Sequence, residues 1–167
     1  LIYIEIIISI KGGIGLVIMG GTAVSPDGCF PKGNMTKNFS DDIIPKYQQI
    51  AKETHQHNTL IIDQLMHPGG QLRNQDGIKI LAPSAIHHER TRGTPVELSQ
   101  KEIKSIINDF KNASQRIEEG GLDGIEIKCD QGFLVHEFLS PRFNRRQDKY
   151  GGSFNNRVRF LFEILTK

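Results

Sequence analysis

Only two cysteines, Cys29 and Cys129, occur in 167 residues. They lie far apart and outside any metal-ligand spacing, which excludes a disulfide framework and leaves reduced thiols in the cytosol as the expectation. Charge of one sign is lacking too. Twenty-one basic residues face 19 acidic ones, for a net charge of +2. No basic block is long enough for a nucleic-acid footprint, and the densest spot, Asn144-Arg-Arg-Gln147, reads as a solvated or ion-paired loop. No apolar run is long enough to span a bilayer. The first ten residues, LIYIEIIISI, come nearest, but they are too short, carry Glu5, and lack a basic leader and a small-residue cleavage site. They read as an element of the core whose partner lies upstream or is missing. The sequence does not begin with methionine, in keeping with an incomplete chain. Internal repeats and low-complexity segments are absent. What remains, 37% hydrophobic and 24% charged, is the composition of one soluble globular domain or part of one.

The segments that are present alternate in type. Ile14 to Met19 is a continuous apolar run bounded by glycines, the pattern of a strand buried on both faces, and Gly20-Gly21-Thr22 ends it in a sharp turn or a close backbone approach. Ser40-Asp-Asp-Ile43 opens a helix that reaches about His57, with apolar positions 43, 44, 47, 50 and 51 at helical spacing. His55 and His57 sit where a helix C-terminus favours imidazolium, and read as capping groups. A second apolar strand, residues 59 to 65, ends in Met66-His-Pro-Gly-Gly70. Gln64 shares a face with Leu60 and Ile62, placing an amide that both donates and accepts at the strand's C-terminal end, as a core amide or a ligand contact. Residues 71 to 98 read as irregular, and the adjacent His87 and His88 point apart, which disfavours a metal site.

Ser99 and Glu102 form a capping box. Behind it Ile103, Ile106, Ile107, Phe110, Ala113 and Ile117 line one helical face ending at Gly120-Gly121. Gly124 to Lys128 is a third strand, with Glu126 and Lys128 on the face opposite Ile125 and Ile127. Two charges on one strand face need water or partners. A long polar loop follows, then a helix from Ser153 with Val158, Leu161, Phe162 and Leu165 in register. Strands alternating with helices predict right-handed crossovers, a parallel sheet and an α/β fold.

One stretch carries many fixed spacings: Phe138-Leu-Ser-Pro141, then Asn144, Arg146, Asp148, Tyr150-Gly-Gly-Ser153, Asn156, Arg157, Arg159 and Phe160. With Gly13-Ile-Gly-Leu16, Gly21-Thr22, Gln64-Leu65, His67, Gly69, Ala82-Pro-Ser84 and Asp123-Gly-Ile-Glu-Ile127, it resembles the Old Yellow Enzyme family of flavin-dependent oxidoreductases. The match is to the NADH:flavin oxidoreductase branch, with its bacterial ene-reductases and 2,4-dienoyl-CoA reductases, and covers about residues 11 to 167.

The resemblance implies a (β/α)8 TIM barrel holding FMN at the C-terminal ends of its strands. Such barrels take about 250 residues, with the phosphate site after strands 7 and 8. Residues 1–167 then form an incomplete FMN-binding barrel domain resembling strands 2–4 and their helices, without strand 1 and strands 5–8. Implied with it are FMN, NAD(P)H as reductant, an activated alkene as small-molecule acceptor, and a cytoplasmic location. Carried over by position, Gln64 matches the glutamine that bonds the flavin pyrimidine edge, and Gly21 the small residue beside the ring. Lys128 and Gln131 stand where many members have a His-x-x-His or His-x-x-Asn pair that grips the substrate carbonyl. Phe133 replaces a common tyrosine, and Gly70 a frequent arginine.

Lys128 either polarises a substrate carbonyl or pairs with Glu126, about 7 Å away along the same strand face. A lysine ending a barrel strand also admits a Schiff-base aldolase, although a neighbouring carboxylate works against an amine nucleophile. As a third possibility the chain is a non-catalytic truncated product, since half a barrel exposes two sheet edges and its interior. An isolated half barrel is expected to lose FMN on gel filtration.

Overall fold

A computed structural model describes residues 2–30, 35–72, 79–87 and 93–167. Three parallel strands form the central sheet in the order β1-β2-β5, with β1 at Leu16–Ala23, β2 at Leu60–Met66 and β5 at Gly124–Ile127. Two long helices, α2 (Ile44–His55) and α3 (Gln100–Glu119), connect them and pack on one face. That is the predicted alternation of strands and crossover helices in a parallel sheet.

The helical faces read from sequence hold for α2 and α3. All six apolar positions of α3 are buried, and its capping box is made in both directions: Ser99 Oγ accepts the Glu102 amide at 3.2 Å, and Glu102 Oε2 accepts the Ser99 amide at 2.7 Å. In α2, Tyr47, Ile50 and Ala51 are buried. Ser40 caps a single 3-10 turn, Asp41–Ile43, that leads into it. His55 does not cap; its Nε2 bonds Asp123 Oδ2 at 2.8 Å, and the same carboxylate oxygen accepts the Ile61 amide at 2.8 Å. The imidazole thereby ties the end of α2 to the residue before β5.

Four elements depart from expectation. Residues 2–10 of the opening apolar stretch lie in a helix, α1 (Ile2–Lys11), whose Ile6 and Ile10 are buried one helical turn apart and which packs on α2. Residues 79–87 and 93–98 are not wholly irregular, since β3 (Leu81–Ala82) and β4 (Val96–Glu97) pair in parallel; His88 lies outside the described residues. The polar loop after β5 contains a helix, α4 (Leu134–Leu139), with Leu134, Val135 and Phe138 buried. The final helix is split at Val158 into α5 (Phe154–Arg157) and α6 (Arg159–Leu165). That break shifts its phase, so Phe160 is buried while Phe162 and Leu165 are exposed.

Charged groups inside the fold are matched. Arg146, almost fully buried, donates to the carbonyls of Pro83 (2.9 Å) and Leu98 (2.7 Å) and to both carboxylate oxygens of Asp148 (3.0 and 2.7 Å). The basic spot read as a solvated or ion-paired loop is ion-paired at Arg146 and forms an internal strut there. Asp63, on the helix-facing side of β2, accepts from Thr22 (2.7 Å) and Tyr47 (2.5 Å). Burial pushes its carboxyl up, against those two hydroxyls.

Arg146 holds the Asp148 carboxyl down to about 2. A folded pKa below the unfolded value of about 3.9 stabilises the fold above that value, and the contribution disappears as pH falls through about 2. Urea midpoints for the wild type and Asp148→Asn are therefore expected to differ most near neutrality and to converge between about pH 4 and pH 2. Curves that stay parallel to the acid limit would remove Asp148 from the account. Comparison with the variant separates this from Asp63, whose raised pKa acts in the opposite sense.

The sheet's other face is bare. Leu16, Ile18 and Leu60 are exposed on it. Together with the outer edges of β1 and β5, this is the interior surface of an open barrel segment.

Candidate active site at the strand ends

Gly20 and Gly21 do not terminate β1. Met19 pairs with Asp63 and Thr22 with Leu65, so both glycines stand against the single residue Gln64 and form a bulge inside the strand. Gly21 adopts φ +75°, which a side chain would resist. A methyl group on Gly20 would meet nothing within 4 Å, and one on Gly21 would meet only Met66 Sδ at 3.5 Å. Bare backbone therefore borders open space beside Gln64.

The β2–β5 register sets Gln64 against Glu126. Gln64 Nε2 donates to Glu126 Oε1. An amide nitrogen has two hydrogens and its oxygen two lone pairs, so this bond fixes the side chain while leaving one N–H and the carbonyl oxygen for a ligand. Sequence reasoning missed Glu126 in this role, because cross-strand register is not visible in local spacing.

Lys128 follows β5 directly. Its ammonium does not pair with Glu126, which Gln64 engages; it lies 3.0 Å from Asp130 Oδ1 and 5.4 Å from the centroid of the Phe133 ring. An ammonium held against a carboxylate is a cationic anchor and offers no lone pair to a carbonyl, which weighs against the aldolase reading. Gln131, at φ +55°, is exposed in the turn that leads to α4. Gly21, Gln64 and Lys128 are thus gathered at the C-terminal ends of three adjacent strands, with Gln131 at the rim.

Neighbouring groups support the frame. His67 Nδ1 accepts the Gly69 amide at 3.1 Å, so the ring proton sits on Nε2, 3.8 Å from Asp27, and this imidazole holds the Asp27 carboxyl down to about 2. Gly28 packs against the same ring, where a methyl group would come within 2.5 Å of it. Glu137, buried in α4, accepts the Gly70 amide with both carboxylate oxygens at 3.1 Å and pins the loop after β2. Burial first, then the Asp130 and Glu126 carboxylates, pushes the Cys129 thiol up, which disfavours its thiolate.

Open backbone thus stands beside an oriented amide that keeps one N–H and its carbonyl oxygen for a ligand. Comparison with known proteins identifies the family. Residues 6–167 match the profile of the NADH:flavin oxidoreductase / NADH oxidase family. NADPH dehydrogenase of Bacillus subtilis is 39% identical over 154 residues, which are 92% of this chain and 45% of that protein. The N,N-dimethylglycine/sarcosine dehydrogenase of Chromohalobacter salexigens is 39% identical over 161 residues, 93% of this chain and 23% of that one. Morphinone reductase superposes with a TM-score of 0.87 at 27% identity, covering 98% of this chain and 48% of the other. The chain spans less than half the length of each of these proteins. Its architecture is that of a partial TIM barrel, and no helix among the described residues is long and apolar enough to cross a membrane. The chain belongs to the NADH:flavin oxidoreductase / NADH oxidase family.

Proposed function

We propose that this chain is the flavin-ring half of an FMN-dependent, cytoplasmic NAD(P)H oxidoreductase acting on a small activated alkene. The observation that carries the reading is the Gln64–Glu126 pair set against the Gly20-Gly21 bulge. Bound FMN would supply hydride transfer, from the reduced nicotinamide to itself and on to the acceptor. The residues of this chain hold and orient. Gln64 presents its free N–H and carbonyl oxygen to the complementary edge of the pyrimidine, and Glu126 keeps that amide from rotating. Gly21 lets the backbone approach the ring, because any side chain there would intrude and strain the positive φ. Lys128, with Gln131 at the rim, contacts the acceptor, and the ammonium draws electron density toward a carbonyl oxygen.

Among the described residues the barrel sheet has three strands, and those residues offer contacts to the ring but none to a phosphate site built after strands 7 and 8. Riboflavin and FMN should accordingly bind it with equal affinity in a fluorescence-quenching titration. Gln64→Leu should weaken both by about 10-fold to 100-fold, the consequence of leaving polar ring atoms unpaired. Equal binding by the wild type and Gln64→Leu, or none by either, would remove the flavin assignment.

A further inference from the structure

The two partners of the Lys128–Asp130 pair differ in solvent access. The Lys128 side chain is 13% exposed and that of Asp130 62%. The ammonium is enclosed, with the Phe133 ring 5.4 Å away. The carboxylate stands in the turn, and the Asp130 carbonyl accepts the Phe133 amide at 3.1 Å. A cation withdrawn from water needs an anion, whereas a mostly exposed carboxylate is well solvated without its partner. Exchanging Asp130 for another carboxylate therefore costs little. Leaving Lys128 with a neutral acceptor alone costs more. The nearest alternative anion on the strand, Glu126, is engaged by Gln64.

Resting on the flavin-barrel reading, we infer that Lys128 is an anion seat which Asp130 occupies between substrates, and that the substrate class is α,β-unsaturated carboxylates. A substrate carboxylate takes the position of Asp130 and receives charge-assisted hydrogen bonds from the ammonium. Asp130 turns out to water. A neutral enone or enamide must compete with Asp130 for the same three donors and offers no charge in return. In this arrangement Lys128 sets specificity by binding, and Asp130 sets the threshold an incoming anion must exceed.

The test follows the Lys128 side-chain ammonium resonance of the full chain by nitrogen-15 NMR during addition of crotonate, of crotonamide, or of chloride at matched ionic strength. Crotonate alone should give a saturating shift. Asp130→Asn removes the competing carboxylate and should tighten crotonate binding at least about 3-fold, since the enclosed ammonium is then left with no carboxylate but the ligand's. Lys128→Met should abolish the crotonate response at the Phe133 amide; circular dichroism shows whether that variant is folded, and Asp130→Asn tests the idea independently of it. Equal shifts with crotonamide or chloride, no shift at all, or weaker binding by Asp130→Asn would each overturn the inference. Failure of the flavin reading appears elsewhere, in the riboflavin titration, so the two can fall separately.

Discussion

Replacing Arg146 with methionine is expected to cost the fold about 3–5 kcal/mol, the penalty for breaking a buried charge network from one side. Methionine keeps most of the unbranched stem and removes only the guanidinium. The carbonyls of Pro83 and Leu98 then lose their donor inside the protein, and Asp148 loses both of its bonds to the arginine. Asp148 is itself a junction, accepting the Tyr150 amide at 3.1 Å and the Gln100 side-chain amide at 3.3 Å. Arg146 therefore connects three places: the segment around β3 and β4, the start of α3, and the turn ahead of Tyr150. Domains are stable by only about 5–15 kcal/mol, so a large part of the folded population is at stake. Urea unfolding followed by circular dichroism measures the loss. Arg146→Lys should recover little of it, since one ammonium cannot reach two carbonyls and both carboxylate oxygens in a fixed fork. A loss below about 1 kcal/mol, the range of exposed ion pairs, would make the strut dispensable.

The elements that could be read from the sequence are those whose signals are local. The Ser99–Glu102 box and the six apolar positions of α3 specify a helix without reference to anything else. The motif from Phe138 to Phe160 carried the family resemblance, and its Phe138, Tyr150 and Phe160 lie in the buried core, with Asn144 bonded to the Phe138 and Tyr150 carbonyls. What escaped depends on tertiary context. Helix α4 is six residues long with no side-chain cap, too short to persist on propensity, and is held by burial of Leu134, Val135 and Phe138. In α1 the β-branched run leaves the element type open until the helix packs on α2 and Ile6 and Ile10 are buried. The candidate site divides in the same way. Its residues were legible from position, but their partners were not. Glu126 and Lys128 are neighbours on one strand face, and that spacing suggested a mutual pair. The parallel register instead gives Glu126 to Gln64, and the turn after β5 gives Lys128 to Asp130.

Phe138→Ala is the second large effect expected, about 3–5 kcal/mol of stability. The Phe138 ring is fully buried, stacked on Phe160 at 4.2 Å between centroids, and meets Tyr150 edge-on at 6.2 Å. Truncation empties the centre of this group, and its neighbours cannot close in freely. Asn144 donates to the carbonyls of Phe138 and Tyr150, both at 2.7 Å, and so fixes the backbone on two sides of the cavity. Phe138→Leu, which leaves a smaller void, should cost about 1–2 kcal/mol, and that ordering separates cavity formation from a general intolerance of change at this position. A double-mutant cycle with Phe160→Ala should return a coupling of about 0.5–1.5 kcal/mol for the stacked pair. The effect should also reach the proposed flavin site. Phe138 anchors α4, and the adjacent Glu137 holds the Gly70 amide in the loop that follows Gln64 and β2. Loosening α4 releases that loop, so Phe138→Ala should weaken riboflavin binding under conditions where the variant is still folded, while Phe138→Leu should not. Unchanged riboflavin affinity in folded Phe138→Ala would show that β2 holds Gln64 in place without help from α4.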